Sequence, residues 1–147
     1  MLFRSLAVIA GVIRPGMVAA LDTIRAAGLK LGCITNNVPG GSGPAMANDA
    51  KSESRYAAIF ARFDHVIESA KAGVRKPDPR IYAIMCEALD VAPAQCVYLD
   101  DLGINCKPAA AMGMAAIKVT GEAQALKDLS VVLAIDLTAF DLNGETQ

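Results

Sequence analysis

The chain reads as an α/β protein built on a Rossmann-like parallel sheet with helices on both faces, and three observations predict it. Short apolar runs alternate with segments whose apolar residues recur at three- and four-residue steps. The runs are continuously apolar, as strands covered on both faces are. Residues able to carry chemistry follow the runs directly, at Thr35 and at Asp100–Asp101. In sheets of this kind, ligands bind beyond the carboxyl ends of the strands.

Each element has its own signal. Residues 15–27 carry Met17, Val18, Leu21 and Ile24 at helical spacing, with Pro15 at the first turn and Gly28 as a stop. Leu29 to Thr35 is a buried strand bounded by Gly28 and Asn36–Asn37. Residues 38–55, rich in Gly, Pro, Ser and Asn, open as a loop, and Tyr56 to Phe63 resume a helical pattern. His65 to Glu68 forms a short strand, with His65 expected to be half-buried. Asp78 caps a helix that has Pro79 at its first position and runs to Leu89. Cys96 to Asp100 is a strand, 104–112 a helix stopped by Gly113, Ala115 to Val119 a strand, and Glu122 to Leu129 a helix. Val131 to Leu137 is expected as a last strand or as packed coil.

Composition narrows the function classes. At 147 residues, with 54% apolar and 20% charged residues, the chain supports one domain with a real core. A net charge of −1 gives no broad field for nucleic acid or an anionic membrane surface. The apolar stretch Leu6 to Ile13 is too short to span a bilayer, and no convincing signal cleavage site follows it. Cys33, Cys86, Cys96 and Cys106 lack zinc-site spacing and read as core thiols, which points to the cytoplasm.

The polar residues at the ends of the runs suit an anion and a divalent cation. Thr35 offers a hydroxyl at a strand end. Lys76 opens a Lys-Pro-Asp-Pro turn in which Pro77 and Pro79 restrict the backbone that aims its ammonium. Asp100 and Asp101 place two like charges beside an apolar strand, which is costly without a cation. Asp22 is the acid upstream of Thr35, and it falls inside a helical pattern.

Residues 29–37, 64–82 and 96–114 together resemble motifs two, three and four of the haloacid dehalogenase-like superfamily. The resemblance extends to the phosphatase-type domain of soluble epoxide hydrolases and to the related domain of some acyl-CoA dehydrogenases. It implies a Mg²⁺-dependent phosphatase acting on a small phosphorylated substrate through an aspartyl-phosphate. Thr35 and Lys76 would be catalytic and would bind the substrate with Asn36 and Asn105. Asp101 would be the direct metal ligand, with Asp100 nearer the second rank or acting through water. Dehalogenation is possible on the same scaffold. The other classes are a non-catalytic module for regulation or association, and a phospho-receiver, whose acids would precede its Thr and Lys rather than follow them.

One departure is plain. No Asp-x-Asp precedes Thr35, so the nucleophilic aspartate is absent and the chain alone is expected to be inactive. The resemblance implies a core lacking its first, central strand and most of the cap, with Leu6 to Ala10 corresponding to the end of a cap helix. Residues 1–14 are accordingly expected to be a residual or artefactual segment, 15–140 the core fragment and 141–147 a tail. Met1 to Ser5 back-translates to DNA ending like a sequencing adapter, which is consistent with a truncated start.

Overall fold

The computed structural model describes residues 5–8, 15–36 and 57–140. Five parallel strands, β1 (Ser5–Val8), β2 (Lys30–Thr35), β3 (His65–Glu68), β4 (Cys96–Asp100) and β5 (Ala115–Lys118), form one sheet in the order β3-β2-β1-β4-β5. The helices are α1 (Pro15–Ala26), α2 (Ser69–Ala72), α3 (Pro79–Leu89), α4 (Gly103–Ala111) and α5 (Glu122–Leu133). Residues 57–60 are also helical, within the pattern expected from Tyr56 to Phe63. The expected loop at 38–55 and the tail at 141–147 lie outside the described residues.

The expected gap at the centre of the sheet is corrected by β1. Ser5 pairs with Lys30 on one side and Cys96 on the other, so the strand bridges β2 and β4. The physical reason is the edge problem: two apolar parallel strands left unpaired would each expose a row of backbone donors and acceptors. A short extended segment between them satisfies both rows.

The sheet separates two apolar layers. On one face Ile81, Tyr82, Met85 and Leu89 of α3 and Cys106 and Ala109 of α4 pack on Ile34, Cys96 and Tyr98. On the other, Leu21 and Ile24 of α1 and Leu126 and Leu129 of α5 pack on Leu31, Val97 and Leu99. Each fully buried Leu or Ile stabilises the fold by roughly 1.5–3 kcal/mol. All four cysteines are buried within this framework.

Local signals set most element ends. Asp78 caps α3 by accepting from the Arg80 N–H at 3.0 Å, and Pro79 takes the first helical position, where no intrahelical donor is needed. Gly113 follows α4 with φ +101°, a conformation that favours glycine. The segment Val131 to Leu137 is neither strand nor coil throughout: its first three residues extend α5, which stops at Ala134 with φ 54°. Leu129 of the helix and Leu137 beyond it lie in the same buried layer. His65 is exposed rather than half-buried, because it opens β3 at the edge of the sheet. Among the described residues no helix is long and apolar enough to cross a membrane.

Candidate functional site

Strand alternation decides which way the acidic pair faces. Cys96 and Tyr98 belong to the layer under α3 and α4, while Val97 and Leu99 belong to the opposite layer. Asp100 therefore shares the face of Tyr98, toward the turn that feeds α3. Asp101 lies one residue past the strand and is exposed.

Lys76 stands in that turn, with a cis peptide to Pro77. The residue is only 4% exposed, and its Nζ lies 3.4 Å from Asp100 Oδ2. Its backbone is clamped from the end of β2: the Asn36 side-chain amide donates to the Lys76 carbonyl at 3.0 Å, and the Lys76 N–H donates to Asn36 Oδ1 at 2.9 Å. Two segments forty residues apart are thus locked by one amide.

Asp100, 2% exposed, is engaged on both oxygens. The Leu102 N–H donates to Oδ1 at 2.9 Å, and the Tyr98 hydroxyl donates to Oδ2 at 2.8 Å. Burial alone would raise its carboxyl, but the Leu102 N–H, the Lys76 charge, the Tyr98 hydroxyl and the Asn105 side chain together hold it below the usual carboxylate value. Burial dominates at Lys76 and lowers the ammonium, with Asp100 opposing the shift and Cys33 and Asp101 adding smaller opposing fields. Asp101 follows Asp100 directly, so it sits at the same strand end that Lys76 reaches.

The residues expected from the sequence converge. Thr35, half-buried, ends β2 beside Asn36; Asn36 holds Lys76; Lys76 meets Asp100; and Asn105, buried in the first turn of α4, reaches Asp100. Asn36 is thereby placed on the Lys76 backbone. Asp22 is elsewhere, exposed on α1 and paired with Arg62 at 2.9 Å. Reasoning from sequence missed Tyr98 and Tyr82. Their rings meet edge to face, with centroids 5.2 Å apart, and the Tyr82 hydroxyl donates to the Asn105 carbonyl at 2.6 Å. The two-residue step from Tyr98 to Asp100 was a usable signal, since strand residues two apart share a face.

A divalent cation fits this donor chemistry in a limited way. Among the described residues no three His, Cys, Asp or Glu side chains gather into a metal-holding group. Mg²⁺ needs only one or two carboxylates, because it keeps several waters and takes further oxygens from a phosphate. Exposed Asp101 can supply such a ligand, whereas Asp100 is occupied by its own donors.

A haloacid dehalogenase-like hydrolase model matches residues 3–113. The chain is 38% identical over 123 residues to acyl-CoA dehydrogenase family member 10 of Mus musculus, covering 84% of this chain and 11% of that protein. It is 35% identical over 125 residues to bifunctional epoxide hydrolase 2 of Sus scrofa, covering 82% and 21%. A phosphatase of Mycobacterium tuberculosis is 35% identical over 120 residues, covering 79% and 52%. The chain thus spans from about a tenth to about half the length of these relatives. Among solved structures, an uncharacterized protein from Corynebacterium glutamicum superposes with a TM-score of 0.66 at 24% identity, covering 98% of this chain and 99% of that one. A HAD family enzyme from Bacteroides thetaiotaomicron, solved with magnesium and inorganic phosphate, gives 0.55 at 18% identity, covering 78% and 56%. These matches, the five-stranded parallel sheet and the rim of Thr35, Lys76 and Asp100 agree: the chain belongs to the haloacid dehalogenase-like hydrolases.

Proposed function

We propose that the rim is the phosphate and Mg²⁺ site of a phosphatase acting on small phosphate esters, and that this chain alone binds both without turning substrate over. The observation that carries the reading is the buried Lys76–Asp100 pair beside an exposed Asp101. An ammonium kept out of solvent at a strand rim is a strong partner for an anion, because its field is little screened there.

Each residue then has a role. Thr35 donates its hydroxyl to a phosphoryl oxygen. Lys76 offsets the negative charge of the bound phosphoryl group, and Asn36 fixes the backbone from which it reaches. Asp100 keeps the lysine in place, with Asn105 behind it. Asp101 would hold Mg²⁺, which when bound would neutralise phosphoryl charge. The nucleophile is what this chain lacks: Ser5 to Val12 contains no acid, and Asp22 is tied to Arg62 on α1. Turnover through an aspartyl-phosphate would need a carboxylate that this sequence does not supply. Four buried cysteines support a reducing compartment such as the cytoplasm. A second reading, a non-catalytic module, is favoured by the same missing carboxylate, and it differs in expecting no phosphate affinity.

Calorimetric titration with inorganic phosphate, with and without Mg²⁺, tests the proposal. Phosphate is expected to bind, more tightly with Mg²⁺, and Lys76→Met is expected to abolish that binding. The same substitution strands Asp100 as a buried unpaired charge, so a stability loss of about 3–5 kcal/mol should accompany it. p-Nitrophenyl phosphate should not be hydrolysed above background. Mg²⁺-dependent turnover would refute the inactive-chain reading, and absence of any phosphate binding would favour the module.

A further inference from the structure

The Lys76–Asp100 contact is longer than an ion pair of this burial needs to be. A charge-assisted N–H···O bond settles at about 2.7–2.9 Å when nothing competes, yet Nζ stands 3.4 Å from Oδ2. The same oxygen receives the Tyr98 hydroxyl at 2.8 Å, and the other oxygen receives the Leu102 N–H at 2.9 Å. Both of these donors belong to β4 or the turn after it, and the Asn105 side chain of α4 also engages the carboxylate, so Lys76 shares it with three other donors. Tyr98 is itself packed on all sides: it is fully buried, and its ring lies edge to face with Tyr82 of α3.

We propose that Tyr98 is a positioning residue whose hydroxyl holds Asp100 Oδ2 and so prevents that carboxylate from closing tightly on Lys76, leaving the ammonium available to a phosphoryl oxygen. An ammonium has three N–H donors, and a single carboxylate oxygen held at a distance does not absorb them. Without the hydroxyl, Lys76 becomes the strongest remaining donor to Oδ2. The pair contracts, and a phosphoryl group must then compete with Asp100 for the charge. Tyr98 touches no ligand in this scheme and acts only through Asp100. The consequence for phosphate rests on the binding reading given above; the consequence for the ion pair does not.

The Tyr98→Phe variant tests both parts. It keeps the buried ring and removes one oxygen, and a thermal melt establishes that it folds. In the ligand-free protein, the ammonium resonance of Lys76, identified by its absence from Lys76→Arg, should move and its protons should exchange more slowly with solvent. Titration with inorganic phosphate should show affinity weakened by roughly two- to tenfold, the range one hydrogen bond commands. An unmoved Lys76 resonance overturns the positioning role whatever phosphate does. A moved resonance with unchanged phosphate affinity overturns the claim that Tyr98 keeps the lysine available. Failure of the parent protein to bind phosphate refutes the phosphate reading instead, and the ligand-free resonance still decides what Tyr98 does to the pair.

Discussion

Asp100 and Lys76 both favour the fold more as pH rises, because each titrates lower in the folded chain, yet the charge stabilises the fold at Asp100 and burdens it at Lys76. The Asp100 carboxyl sits below its ordinary 3.8 in the folded protein, so the stability it contributes is present in full above 3.8 and is lost as pH falls through the lower folded value. Lys76 is lowered from 10.5, so its buried charge works against the fold at neutral pH, and that burden lifts as pH rises toward 10.5. A plot of melting temperature against pH should therefore fall steeply below about pH 4. Asp100→Asn should flatten that acid limb while lowering stability at neutral pH, where Lys76 loses its counter-charge. An unchanged acid limb in the variant would show that Asp100 is not the titrating group. At this scale, residue type and order made Thr35, Lys76 and Asp100–Asp101 legible, because each follows an apolar run or opens a Pro-rich turn. The clamp by Asn36 and the Tyr98 bond were not legible, since both depend on which side chains the folded backbone brings within hydrogen-bond range.

Helix packing turns on small residues where two elements approach closely. Gly16, in the first turn of α1, lies against the Glu122 carboxylate at the start of α5 and against the Phe140 carbonyl. Glu122 is buried, and its Oε1 has no hydrogen-bond partner. A methyl at position 16 would strike both groups, and one of them is backbone, so the junction cannot relax cheaply. Gly16→Ala should cost about 1–3 kcal/mol, as overpacking does, although alanine favours helix more than glycine. Urea denaturation measures it, and a stabilised variant would contradict the packing. Helix and strand positions were readable from periodicity and punctuation, with Pro79, Gly28 and Gly113 marking ends. The end of α5 was not, because the run from Val131 to Leu137 contains no breaker and its helical part is set by packing.

Across the whole molecule, β1 carries the greatest consequence. It is the central strand and hydrogen-bonds to both β2 and β4, so it joins the two halves of the sheet. A chain beginning after Val8 would expose two facing strand edges and separate Thr35 and Lys76 from Asp100. Such a chain should lose its cooperative thermal transition and associate, as unpaired apolar edges do. Calorimetry with light scattering distinguishes this from a protein that merely melts earlier. A sharp, monomeric transition in the shortened chain would show that Ser5–Val8 is dispensable.

The order of apolar runs and helical patterns was enough to place this chain among parallel α/β proteins, and the polar residues that close those runs were enough to single out the strand rim. These properties are local: period, punctuation and residue type act over a few neighbours. The occupant of the central strand position, the route by which Asn36 governs Lys76, and the competition between Tyr98 and Lys76 for one carboxylate oxygen emerged only with the fold. Each joins segments distant along the chain, and the energy that selects such contacts comes from burial and backbone pairing, which no local pattern encodes.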